Sequence, residues 1–188
     1  MIEGLASLIT SVGLGMGAGV NAYATFLVFG LLSRVYPLLF PGDLPAFFAS
    51  TPVLITVAVL YAIEFAADKF PGLDHVWDAV HTFIRPAAGA LVAFASTTPE
   101  MPNGVAILAA VLGGGAALGS HVTKSAVRAT STATTGGLGN PVLSVGEDIF
   151  AVGQSLLAVF LPFVFLALMA GFLLTVMWWL LRPRRGRI

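Results

Sequence analysis

Cysteine is absent from this 188-residue chain, and charge is scarce. Without a thiol there can be no disulfide, no zinc–thiolate site, no iron–sulfur cluster and no cysteine nucleophile. Charged residues make up 10% of the sequence and hydrophobic ones 57%. A soluble domain has about 25% and about 45–50% respectively. Formal net charge is zero, which argues against nucleic acid as a partner. A basic stretch before the first apolar run is also missing, because the chain starts Met1-Ile2-Glu3-Gly4. The first run is therefore expected to stay as a helix rather than be cleaved as a signal peptide.

What is present is long uncharged runs, and mean hydropathy is +0.94. A membrane span needs about 20 apolar residues. Between Glu3 and Arg34 lie 30 uncharged residues, between Asp43 and Glu64 lie 20, between Glu100 and Lys124 lie 23, and between Asp148 and Arg182 lie 33. Only 14 separate Arg85 from Glu100, a reach of about 21 Å against a hydrocarbon core of about 30 Å. A fifth span there either extends back through Ile84, Phe83, His81 and Asp78 or is re-entrant. The second span has two possible starts. A start at Pro52 carries Glu64 and Asp68 into the helix, whereas a start at Pro45 makes Pro52 a kink.

The expected fold is an all-α polytopic transmembrane bundle of about five spans, near 4–34, 46–68, 78–98, 103–125 and 150–181, forming one domain. The tail Arg182-Pro183-Arg184-Arg185-Gly186-Arg187 follows the last span, and the positive-inside rule places it in the cytoplasm. Five spans then put the N-terminus outside and Arg34 inside, but Lys69, Arg85, Lys124 and Arg128 on the outer side. Trp178 and Trp179 read as an interfacial anchor.

Two polar segments, 64–86 and 119–148, interrupt the apolar runs, each as helix–breaker–helix at one membrane face. In the first, Pro71-Gly72 signals a turn and Asp74 can cap the next helix. Asp74, Asp78, His81 and Arg85 recur at helical spacing on one face. In the second, His121, Lys124 and Arg128 do the same. The stretch Ala129–Thr135 reads as a loop or a hydroxyl-lined pore, and Gly136-Gly137-Leu138-Gly139-Asn140-Pro141 as a breaker. Ser144 and Glu147 fit a capping box. The glycine runs 13–19 and 113–119, with Pro52-Val53-Leu54 and Pro141-Val142-Leu143, hint at a duplication. Gly13, Gly15, Gly17 and Gly19 suit close helix packing, and Asn21 after them is an interhelical donor or a pore-lining amide.

The chain resembles a family of bacterial multi-pass membrane proteins classed only as a domain of unknown function. The resemblance rests on Glu64, Asp68-Lys69, Pro71, Asp74 and Arg85-Pro86, and on His121, Lys124, Arg128, Asn140-Pro141 and Glu147-Asp148. It covers most of the chain. It implies a bacterial inner-membrane protein and supports this choice of residues, and it implies no particular chemistry.

Ionisable groups inside a membrane are costly and mark function by default; the alternative is a structural ion pair. The candidate solute or ion path is Asn21, Glu64, Asp68, Asp74, Asp78, His81, Arg85, His121, Lys124, Arg128, Glu147 and Asp148. Carboxylates exceed cations in these segments, which leaves room for a proton or cation. Metal binding has weak support, since no His-x3-His or dense acidic loop occurs, and no cofactor is expected. Three functions follow. The first is a transporter or channel for a small solute or ion, acting as a homo-oligomer. The second is a membrane scaffold or accessory subunit held by structural charges. The third is an intramembrane enzyme using Ser120 or Ser144 with His121.

Overall fold

The computed structural model describes residues 2–69 and 73–182, leaving out the side chains of residues 73–75 and 78. The Pro71-Gly72 turn and the side chains of Asp74 and Asp78 therefore lie outside the described residues. Those described form eight α-helices: α1 Ile2–Val20, α2 Ala22–Val35, α3 Asp43–Phe48, α4 Thr51–Ala67, α5 Leu73–Ala95, α6 Asn103–Thr135, α7 Asn140–Phe160 and α8 Pro162–Leu181. Four of them, α1, α6, α7 and α8, are long and apolar enough to cross a bilayer, and α2, α4 and most of α5 are shorter apolar helices.

Two expected spans are each a pair of helices. The run 4–34 breaks at Asn21, whose extended backbone (φ −147°, ψ 107°) ends α1, while its side-chain oxygen accepts the Ala24 N–H and opens α2. The chain reverses there. Thr25 sits against Gly17, a contact a continuous helix would spread over two turns. The run 150–181 breaks at Leu161 (φ −135°, ψ 58°), with Pro162 in the first turn of α8. Phe165 of α8 folds back to pack with Ala158 of α7 and Ile9 of α1. A lone extended residue interrupts the hydrogen-bond ladder without adding any charge, so the spacing of charges could not reveal it.

Packing fixes the directions. The α5–α6 pair is antiparallel, with Arg85 and Thr82 beside His121 and Ala93 beside Gly113. The α1–α7 pair is antiparallel as well, since Thr10 donates to the Ala158 carbonyl at 2.9 Å and Asn21 meets Asp148. By contrast α1 and α6 run parallel, Gly15 on Gly113 and Gly19 on Ala117. The two glycine runs thus face each other. Gly89 of α5 joins them, and its place leaves no room for a Cβ against Ala117 and the Gly113 carbonyl. Small residues let three backbones approach where a side chain would hold them apart.

The remaining ambiguities resolve simply. Pro52 lies in the first turn of α4, and Pro45 belongs to the separate short helix α3. Helix α5 extends back to Leu73 and takes His81 and Arg85 with it. Helix α6 has 33 residues, about 50 Å at ~1.5 Å per residue, and its last turns contain Thr130–Thr135. That stretch is helix rather than loop. The Thr130, Thr134 and Thr135 hydroxyls bond back to carbonyls one turn earlier. Gly136 and Gly137 (φ 63° and 87°) then stop the helix in the left-handed region that glycine tolerates.

The surface is apolar and the interior polar. On α8 only Phe165 is buried, and large apolar side chains cover the outer faces of α4, α5, α6 and α7. Glu64 and Arg85 are both 0% exposed. Charge inside and leucine outside inverts the pattern of a water-soluble protein and suits a hydrocarbon solvent. The chain is a multi-pass membrane protein.

Candidate functional site: a charged layer at one end of the bundle

Five elements bring their polar residues to one end. The top of α4 supplies Glu64 and Asp68, α5 supplies His81 and Arg85, and α6 supplies His121, Lys124 and Arg128. The top of α7 supplies Glu147 and Asp148, and the α1–α2 tip supplies Asn21. Arg85 lies ten residues above Ala95, where α5 ends, about 15 Å along the helix.

The deepest group centres on Arg85. Its Nη2 donates to Glu64 Oε1 at 2.6 Å, and its Nη1 donates to His121 Nδ1 at 2.8 Å and to the Gly19 carbonyl at 3.4 Å. Accepting from arginine leaves His121 neutral, with its proton on Nε2, 3.0 Å from Thr82 Oγ1. His81 Nδ1 lies 2.9 Å from the Trp77 carbonyl and so carries its hydrogen there. The ring of Tyr23 meets that of His81 edge-on.

A second group lies nearer the outside. Arg128 Nη2 donates to Asp68 Oδ2 at 2.6 Å and also to Glu147. Lys124 Nζ lies 3.6 Å from Asp68 and 3.3 Å from Glu147, and donates to the Val20 carbonyl at 3.0 Å. Ending α1 at Val20 exposes carbonyls that would otherwise be bonded within a helix. Arg85 and Lys124 satisfy two of them, with their positive charges at the negative pole of α1. The break in α1 and the buried cations thus depend on each other.

Asp148 stands apart, its Oδ1 accepting from Asn21 Nδ2 at 2.7 Å. Lys124 and Arg128 both meet Glu147, the carboxylate next to Asp148. Their other main partner is Asp68, at the end of α4 and two helices back from α6 in the chain. The capping-box reading is overturned, because α7 begins at Asn140, leaving Ser144 buried within the helix, and Glu147 binds Arg128. Ser120, proposed with His121 as a nucleophile, donates instead to the Met16 and Ala117 carbonyls. No set of three or more histidines and carboxylates is placed to hold a metal among the described residues. Tyr61 and Tyr23 were missed. Both are aromatic residues in apolar runs, without a charge to draw attention to them.

The domain of unknown function DUF4126 matches residues 8–182, a stretch containing the whole charged layer and all the helices that build it. The chain belongs to the DUF4126 family. No curated protein and no solved structure matches it. In this DUF4126 chain Glu64, Asp68, Arg85, His121, Lys124, Arg128 and Glu147 thus lie in one charged layer, and membership in the family attaches no chemistry to it.

Proposed function

We propose that this DUF4126 chain is a transporter or channel for a small solute or ion, working as a homo-oligomer in a bacterial inner membrane. The observation supporting it is a concentration of buried polar atoms without hydrogen-bond partners among the described residues. Glu64 Oε2, Asp68 Oδ1, His81 Nε2, Arg128 Nη1, Ser144 Oγ and Asp148 Oδ2 all belong to the charged end. Each such atom costs about 1–3 kcal/mol, and a cluster whose only duty was to staple helices would be expected to close its bonds. Unmet donors and acceptors grouped in one layer suit a polar occupant passing through it.

The reversals at Asn21 and Leu161 favour an orientation. They make the apolar helices run alternately up and down, so α8 ends on the same side as the charged layer. Lys69, Lys124, Arg128 and the arginine tail then share one face, while Glu3, Asp43 and Glu100 lie opposite with Arg34 alone. The positive-inside rule assigns the first face to the cytoplasm. The charges that five spans left on the wrong side thereby fall on the right one.

The scaffold reading has its own support in the Glu64–Arg85 pair, fully buried on both sides. Flux separates the two. Proteoliposomes holding the full chain are loaded with a pH dye or a cation dye and challenged with proton, sodium and potassium gradients, then with a panel of small organic solutes. Flux above that of empty liposomes, reduced by Asp68→Asn or His81→Ala, is expected. Flux equal to empty liposomes across the panel returns the layer to a structural role.

A further inference from the structure

We propose that Asp148 is the proton-binding group of the charged layer, and that its protonation is transmitted to the α1–α2 tip through Asn21. The described side chains of the layer hold Glu64, Asp68, Glu147 and Asp148 against Arg85, Lys124 and Arg128. Arg85 is paired with Glu64, and Lys124 and Arg128 share Asp68 and Glu147. One carboxylate is left over. Asp148 is that one, because its hydrogen bond comes from a neutral amide.

An ionised carboxylate out of water is costly without a counter-charge, and such a group neutralises when it can. Asp148 is 7% exposed, and its Oδ2 is buried without a geometric hydrogen bond from the described residues. The groups facing it are Asn21 from the α1–α2 tip, Lys124 from α6 and Glu64 and Asp68 from α4. Tyr61 of α4 also acts on it, as a second neutral group rather than a cation. Among these, two carboxylates oppose one ammonium, and that ammonium is already engaged by Asp68 and Glu147. A metal ion would want several converging oxygens, which the described residues do not offer. A proton needs one.

The step is simple. Hydronium at the charged face gives up a proton and is left as water, an O–H bond forms at Asp148 Oδ2, and the carboxylate becomes neutral. The bond from Asn21 Nδ2 then loses its charge assistance, which accounts for roughly half its strength. Asn21 is the extended residue joining α1 to α2, so this bond adds a polar tie to α7 beside the packing of Val20 and Ala24 on Ala151. Proton occupancy at Asp148 thereby sets how firmly the α1–α2 tip is held. Only the use of this coupling in moving a solute rests on the transport reading.

Infrared difference spectra of the full chain in liposomes, taken between alkaline and acidic buffer, read protonated carboxyls directly. A protonated-carboxyl band is expected that disappears in Asp148→Asn. In Asn21→Ala it should shift to the position of a carbonyl freed of its amide donor. If Asp148→Asn does not elute as folded protein, the shift in Asn21→Ala decides, and Asp148→Glu should move the same band. Spectra in which the folded variants leave every carboxyl band unchanged overturn the proposal. A band assigned to Asp148 without flux of any solute keeps the proton site and removes the transport reading. Proton-driven flux that persists in Asp148→Asn does the opposite.

Discussion

Replacing Glu64 by leucine removes the carboxylate that Arg85 Nη2 meets at 2.6 Å, while the guanidinium stays at 0% exposure. Two unit charges about 4 Å apart attract by about 4 kcal/mol at an effective dielectric near 20. Removing one member of a buried pair is measured at about 3–5 kcal/mol. Glu64→Leu is therefore expected to destabilise the fold by about 4 kcal/mol. Arg85→Met should cost at least as much, since it also strips the Gly19 carbonyl and His121 of a donor at about 1 kcal/mol each. In the double variant neither charge is left uncompensated. Its loss should be near the cost of those two bonds, about 2 kcal/mol, giving a coupling energy of several kcal/mol. The assay is equilibrium unfolding of the full chain in mixed micelles, followed by tryptophan fluorescence as a double-mutant cycle. Additive single losses would refute the reasoning, because they would mean that Glu64 and Arg85 do not sense each other's charge.

Gly15→Ala should destabilise by about 1–3 kcal/mol in the same assay, because the new methyl meets the Gly113 main chain. Gly115→Ala and Gly119→Ala open onto free space and should be neutral or stabilising by up to about 1 kcal/mol. Lys124→Met leaves the Val20 carbonyl without its donor and Asp68 and Glu147 with Arg128 alone; a loss of about 3 kcal/mol is expected, measured as a shift in unfolding midpoint. The cysteine-free chain suits accessibility mapping. Leu38→Cys and Leu138→Cys, at sites 94% and 81% exposed, should react with an impermeant maleimide from opposite sides of the membrane. Labelling of Leu38→Cys alone in intact cells is the result that the proposed orientation requires.

The membrane class was legible from composition, because a lipid-facing surface demands apolar residues in numbers that no soluble core needs. The charged residues were legible too, being rare enough that each had to be accounted for. Their partners were not. Asp68 meets Arg128 across 60 positions of sequence, and nothing local encodes that contact. Periodicity placed His121, Lys124 and Arg128 on one face, and the structure buries all three. What that face would meet depended on the α1–α2 tip, which the sequence marked only by a single asparagine.

That asparagine also explains why the first run holds two helices where charge spacing suggested one span. Charge gaps measure how long a segment stays out of water, and a hairpin of two helices stays out as long as one helix of the same length. At 1.5 Å per residue, 30 residues reach about 45 Å, half as far again as the hydrocarbon core of about 30 Å. The excess length of the first and last runs was itself the signal of a reversal. Pro162 marked the second reversal, since proline favours a first helical turn. Asn21 marked the first, since its side chain can replace a missing backbone acceptor. In a chain this poor in charge, an amide in the middle of an apolar run has to satisfy its own hydrogen bonds. Here it does so by capping one helix and holding a buried carboxylate on another, and both duties require that the chain turn at that residue.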